Sequence, residues 1–488
     1  MIAGNSYRRV PENRSSRPSV NLLSSINPTQ EPLRGSDYLG DAALYILCLS
    51  AFGAPALAEV ATALLVIAFL AAAPRARVLL REPVVLLALA GTAYGLVHTL
   101  VAGLLSPQHA GLYWEGLTSW LKLLLFIPVA FFSRGEERKL DLLLLLLLAG
   151  LLFRILFRMD WTTLIADPGE ILNLRPGFGL PALAFALYSG AGLIGLATVG
   201  RRLLEGEPGS QTRNPLAPAF WAFAACILLL GLSLAAARSG WLALLVAMPV
   251  ALWVSRGRQP PAEAQVETRR WLKLAVGLTV AAVVVIGSQR TFERAAWELN
   301  ALTASPPGPE QTPLTSDRVR LNGLRFGVET WMERPWFGWG ADASGHLLGS
   351  ADPAGLRFHD GARLEHLHNT YLEILVQFGA VGLFLVAALL LALAQGLRLA
   401  CRDGRSSSRY CGFFLGVLVM VLIWSLFEYR LPHRDWRVFW MVVGGAAYGH
   451  LLLRLPGLMP RDATPSETPG TGISARRPAR AGARHESA

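Results

Sequence analysis

Two histidines two residues apart, His366 and His368, stand immediately before Asn369-Thr370 and the start of a long apolar run. On an extended segment that spacing puts both rings on one face, where they could ligate a metal. The local sequence offers no third ligand, so the reading taken is no metal. Asn369-Thr370 followed by apolar residues reads as a helix N-terminus. The positive end of a helix dipole disfavours imidazolium, which would leave His368 neutral and able to accept a proton as a general base. A histidine at a helix start can equally be a simple hydrogen-bond partner, and residue type alone leaves both readings open.

The second chemical signal is arginine. Arg158, Arg175, Arg238, Arg318, Arg320, Arg325, Arg334, Arg430, Arg434 and Arg437 all fall on the side of the membrane that the orientation rule keeps poor in positive charge. A lipid-linked phosphate or pyrophosphate would explain them, because a guanidinium binds such groups through two parallel hydrogen bonds. Membrane lipid headgroups, or local acids such as Asp160, Asp317, Glu428 and Asp435, are the competing partners. From Thr315-Ser316-Asp317 the pattern predicts a helix with Leu321, Leu324, Val328 and Trp331 on one face, stopped before Pro335. It carries Arg320 in its first turns and is expected to lie near the membrane surface. Gly338 and Gly340 then allow a tight turn.

Those residues need a frame, and the composition supplies it. The chain has 488 residues, 53% hydrophobic and 16% charged, against about 25% charged in soluble domains. The expectation is an all-α polytopic membrane protein of about 12 spans, at 38–52, 56–73, 83–105, 118–132, 140–157, 177–199, 218–236, 240–254, 271–288, 370–397, 411–427 and 438–453. The split at 218–254 rests on Arg238-Ser239-Gly240, since an arginine at the bilayer centre is costly. Basic clusters alternate between loops, which places both termini in the cytoplasm and 289–369 outside as one large periplasmic segment. The domain plan is therefore a tail at 1–37, nine spans over 38–288, the polar segment 289–369, three spans over 370–455 and a second tail at 456–488. Both tails are rich in Pro, Ser, Gly and Arg, as disordered segments are. The net charge of +11 follows the loop clusters, so no nucleic-acid partner is expected. Cys48, Cys226, Cys401 and Cys411 show no spacing that suggests a disulfide and read as packing residues. The N-terminal stretch lacks the apolar core of a cleavable signal.

Three stretches together resemble the signature of the O-antigen ligase and polymerase superfamily. They are His368-Asn369, nine residues, then Gly379-Ala380-Val381-Gly382; Arg320 fifteen residues before Pro335-Trp336-Phe337-Gly338-Trp339-Gly340; and Arg238-Ser239-Gly240-Trp241-Leu242. The likeness covers roughly 220–385, and Leu324 departs from it where family members often carry Trp. The resemblance implies a membrane-embedded (GT-C type) glycosyltransferase of the bacterial inner membrane. It would take glycan from undecaprenyl pyrophosphate at the periplasmic face and pass it to lipid A-core, with inversion and with no metal or nucleotide cofactor. By position it assigns the base to His368 and the pyrophosphate to Arg238 and Arg320. Arg318, Arg175, Arg158, His366, Asn369 and Arg430 are the candidate supporting residues. A polymerase or a protein-glycosylating enzyme would share the donor chemistry, and the single outer segment of moderate size favours the ligase. A transporter for the same lipid would place its charges within spans near the midplane; here they gather at the outer ends.

Overall fold

The computed structural model describes residues 35–167, 177–200, 216–256, 316–351, 356 and 362–453. Arg175, the run read as a span at 271–288, the stretch 289–315 and most of both terminal tails lie outside these residues. No strand forms among the described residues. The helices are α1 (Gly35–Ser50), α2 (Pro55–Ala71), α3 (Ala73–Ala76), α4 (Pro83–Leu105), α5 (Ala110–Leu121), α6 (Phe126–Ser133), α7 (Glu137–Arg158) and α8 (Trp161–Ala166). They continue as α9 (Ala182–Thr198), α10 (Leu216–Ala235), α11 (Arg238–Ser255), α12 (Ser316–Glu333), α13 (Ala343–Ala351), α14 (Thr370–Arg402), α15 (Ser408–Trp424) and α16 (Arg434–Leu452).

Six stretches are long and apolar enough to cross a membrane: α4, the α5–α6 unit from Pro107 to Ser133, α7, α10, α11 and α14. A seventh arises if α2 and the segment Ala73–Arg81, bent by 75°, count as one broken span. The apolar helices α9 and α15 are shorter. These helices make the chain a membrane protein; twelve spans are not reached by length and composition among the described residues. The chain breaks between α10 and α11 at Ala236, which takes a left-handed φ of 46°. The break carries Arg238 to a helix start rather than a helix centre.

One apolar core joins α1–α4, α6–α11 and the later turns of α14 with α15 and α16, filled by residues such as Leu44, Phe126, Phe185, Leu397 and Trp424. Arg154, within the apolar run of α7, donates its Nε to the Phe178 carbonyl at 2.6 Å and a terminal nitrogen to the Phe52 carbonyl, two groups that lie in turns. A buried cation is costly unless it is hydrogen-bonded, and these carbonyls are its partners.

Two sequence expectations are corrected. Helix α12 buries Val319, Gly323, Gly327 and Thr330, while Leu321 and Val328 face outward at 62% and 42% exposure. The reason is close approach: a Cβ on Gly323 would meet Leu364 at 2.5 Å, and one on Gly327 would meet Leu372 at 2.7 Å and Leu367 at 2.8 Å. Glycines carry no hydrophobic weight, so the pattern of large apolar residues found only the edge of the buried face, where Leu324 and Trp331 pack, and missed its centre. The second correction concerns Cys401 and Cys411. The turn from α14 into α15 brings their Cα atoms to 6.2 Å, and the two form a disulfide.

Helix α14 is interrupted at Gly379, whose φ of 66° and ψ of −168° are not helical. The loop Pro335–Gly340 docks into that break. Trp339 N–H donates to Val376 O at 2.9 Å, Gly340 N–H to Gln377 O at 3.0 Å, and Ala380 N–H returns to Pro335 O at 2.8 Å. The groups a broken helix would leave orphaned are thus satisfied by a second segment. A Cβ on Gly379 would lie 2.3 Å from the Trp336 carbonyl carbon, and one on Gly338 would lie 2.6 Å from Val376 O. The two glycine-bearing motifs are separate in sequence and form one backbone joint.

Candidate active site

Asn369 caps α14: its side-chain oxygen accepts from Leu372 N–H at 3.0 Å, satisfying one of the free donors of the first turn. The cap is pinned to the loop after α15 by three bonds. Thr370 N–H reaches Ser425 O at 2.9 Å, Thr370 Oγ1 donates to Glu428 O at 2.7 Å, and Asn369 Nδ2 donates to Leu426 O at 3.1 Å. His368 sits directly before the cap with a left-handed φ of 49°. That conformation is unfavourable for a residue with a Cβ and persists only where neighbours over-determine it. On one side Leu367 N–H is held by the Glu373 carboxylate at 2.7 Å, and on the other the cap is fixed.

The partner of His368 comes from that same loop. Glu428, with a side chain 6% exposed, accepts from His366 Nε2 at 2.9 Å, and His368 Nδ1 lies 3.3 Å from Oε1 and 3.4 Å from Oε2. The two imidazole centroids are 4.2 Å apart. Burial works to raise the Glu428 pKa, but hydrogen bonds from His366 and His368 outweigh it and hold the carboxyl well below the usual range. The His368 pKa is lowered as well, which for an imidazole favours the neutral form: burial first, then the charges of His366 and Arg320, lower it against the upward pull of Glu428. Its neutrality thus rests on burial more than on the helix dipole. A carboxylate only accepts, so the neutral His368 carries its proton on Nδ1 and leaves Nε2 with a free lone pair.

These groups line a cavity of about 370 Å³ with Arg320, Glu365, Arg430, His433 and the start of α9 at Pro181–Leu183. Arg430 is neutralised by Asp435, with Nε and Nη2 each 3.2 Å from a carboxylate oxygen, and Tyr188 donates to the same acid at 2.8 Å. Arg320 differs: its Nε is buried without a hydrogen-bond partner. His433 is pushed down to about 4 by burial and by Arg430, so it too is neutral here near pH 7.

Behind the cavity a buried polar network locks α14. Glu373 accepts from Ser344 Oγ and from Gln377 Nε2 at 2.9 Å, and Gln377 Nε2 also reaches Tyr429 OH at 2.9 Å. The Gln377 amide oxygen accepts from Asp342 N–H at 3.0 Å and Trp120 Nε1 at 3.2 Å. Glu373 and Gln377 are fully buried. A network with every member satisfied rigidifies what it supports; here that is the first turn of α14 and the 335–340 loop beside it.

Of the residues singled out by sequence, His366, His368, Arg320 and Arg430 meet at the cavity, and Asn369 positions them. Arg158, Arg318 and Arg238 do not line it. Arg238 is exposed at the start of α11, near where Gly240 lies against Ala186, one turn into α9 from the cavity wall. Sequence reasoning named Glu428 only as a local acid for arginines; its partners are the histidines, so the third candidate metal ligand missing from the local sequence is supplied by the fold. It missed Glu365, His433, Glu373 and Gln377 altogether. The available signal was an acid in a short loop, Glu428-Tyr429-Arg430, between two apolar runs.

Residues 222–387 match the sequence profile of the O-antigen ligase family. Residues 222–387 thus form an O-antigen ligase family domain within a longer chain. The matched stretch holds α11, α12, the 335–340 loop, His368 and the Gly379 break, so the superfamily domain carries His368 and Arg320, while Glu428 and the α9 wall come from outside it. No curated protein matches the chain. Members of this family transfer glycans, and the chain is placed among glycan-transferring membrane enzymes on that basis.

Proposed function

We propose that the chain is an O-antigen ligase that moves polysaccharide from a polyprenyl pyrophosphate to the sugar of a lipid A-core acceptor, on the outer face of the inner membrane. The observation that carries this reading is the pairing, in one cavity, of a neutral His368 backed by Glu428 with an Arg320 whose buried Nε has no partner. His368 Nε2 takes the proton of the acceptor hydroxyl as its oxygen attacks the anomeric carbon. The bond from that carbon to pyrophosphate breaks, and the electron pair leaves with the phosphate oxygen toward Arg320. The resulting imidazolium is stabilised through Nδ1–H by Glu428, the role a carboxylate plays behind a catalytic histidine. A leaving group that already carries charge needs fixed cations more than it needs a proton donor. Arg238 would act on the same donor from the α11 start.

Purified full-length protein in detergent, given undecaprenyl-pyrophosphate glycan and lipid A-core, should form the ligated product without any ion gradient. A variant His368→Asn tolerates the left-handed backbone, keeps a side-chain hydrogen-bond donor and has no basic nitrogen; it should fold and give no product. Near-normal turnover by that variant would remove His368 from the base role. Extension of lipid-linked repeats in place of core ligation would identify the sister polymerase.

A further inference from the structure

We propose that His366, His368 and Glu428 form a binding site for a borderline divalent cation such as Zn2+, which switches the cavity off. The site itself rests on geometry alone, and only the inhibition rests on His368 being the base. The three side chains each offer one ligand atom, and these atoms lie within 4.8 Å of one another. In a tetrahedral zinc site with ligands about 2.0–2.1 Å from the metal, neighbouring ligand atoms are about 3.3 Å apart. Two separations here already stand near that edge: His368 Nδ1 to Glu428 Oε1 at 3.3 Å and His366 Nε2 to the same oxygen at 2.9 Å.

Two imidazoles and a carboxylate, with the remaining position open to a cavity, are the donor set of zinc sites that keep a solvent ligand. Glu428 is ionised and is 5% exposed as a residue, so its charge is little screened. Arg430 is paired with Asp435, which leaves Arg320 as the cation opposing the ion, while Glu365 adds an acid to the wall.

Coordination has a definite chemical consequence. The metal takes the lone pair of His368 Nδ1, so the proton there moves to Nε2; on His366 the metal takes Nε2 and a proton stays on Nδ1. Nε2 of His368 thereby becomes a donor and can no longer accept from an acceptor hydroxyl. The ion is outside the reaction and opposes it.

The test is calorimetric titration of Zn2+ into metal-stripped full-length protein in detergent, with Mg2+ as the hard-cation control and glycan transfer followed in parallel. One Zn2+ per chain is expected, no Mg2+, and inhibition that a chelator reverses. Glu428→Gln and His366→Ala should weaken Zn2+ at least tenfold, and Arg320→Ala should bind it as tightly or more tightly, the reverse of its effect on an anionic donor. If Glu428→Gln does not fold, His366→Ala carries the test, since that side chain is 21% exposed. Absence of saturable binding, or equal affinity in both ligand variants, overturns the site. Stoichiometric binding without inhibition keeps the site and removes His368 from the base role, so the two readings fail separately.

Discussion

Replacing Glu428 by glutamine removes one charge from a side chain that is 6% exposed while keeping its shape, and its effect on the pH profile has a sign that only a positioning role produces. The base works neutral, so activity falls as pH drops through the His368 pKa, which lies below the ordinary value of about 6.5. Glu428 is the group that pulls this pKa up; burial, His366 and Arg320 all push it down. In Glu428→Gln the downward causes remain alone, and the acid limb of the rate profile moves to lower pH. The plateau falls at the same time, because the imidazolium formed in the transition state loses its counter-charge. A hydrogen bond to a charged group contributes about 1.5–3 kcal/mol. The 3.3–3.4 Å separation from His368 Nδ1 argues for the lower half of that range. At about 2 kcal/mol the expected loss in plateau kcat is roughly 30-fold, using 1.36 kcal/mol per decade. The assay is initial-rate glycan transfer by the purified variant between pH 5 and 8, with a thermal melt to confirm folding. An unchanged plateau, or an acid limb that moves upward, would refute the assignment of Glu428 to His368.

Four further outcomes are expected. Arg320→Ala should lower kcat/KM for the lipid-linked donor by about 10- to 100-fold, from loss of a charge-assisted contact, with little change in acceptor KM; equal losses for both substrates would make Arg320 structural. Gly379→Ala places a Cβ 2.3 Å from the Trp336 backbone at a φ of 66° and should destabilise by about 2–4 kcal/mol, whereas Gly349→Ala on α13, with nothing within 4 Å, should leave the melting temperature within a degree or two. Gln377→Ala strips partners from Glu373, Tyr429 OH, Trp120 Nε1 and Asp342 N–H, and at about 1–3 kcal/mol per buried group left unpaired it should melt well below the parent in detergent. Trp336 and Phe337, 66% and 61% exposed beside the span α14, should sit at the lipid interface; bromination of acyl chains in reconstituted vesicles should quench more fluorescence in the parent than in Trp336→Phe, and an equal quench would place the loop away from lipid.

What the sequence determined by itself was local. Apolar run length is a property of neighbouring residues, so α4, running from Pro83 to Leu105, was legible to the residue. The N-terminus of α14 was legible because a cap needs only Asn369 and the backbone three residues on. The His368-Asn369 and Gly379 motifs were likewise visible, and with them the resemblance to the superfamily. Tertiary structure decided the rest. Glu428 meets His368 across 60 residues only because the α14 cap bonds the loop after α15, and hydropathy says nothing of which loop a cap will touch. The buried face of α12 depended on leucines entering at Gly323 and Gly327, where the information lies in an absent side chain. Among the arginines, sequence could count charges but not partners. Packing paired Arg430 with Asp435, turned Arg154 onto carbonyls, and left the Arg320 Nε unsatisfied, because the free energy of a buried charge is set by what the fold brings within hydrogen-bond reach.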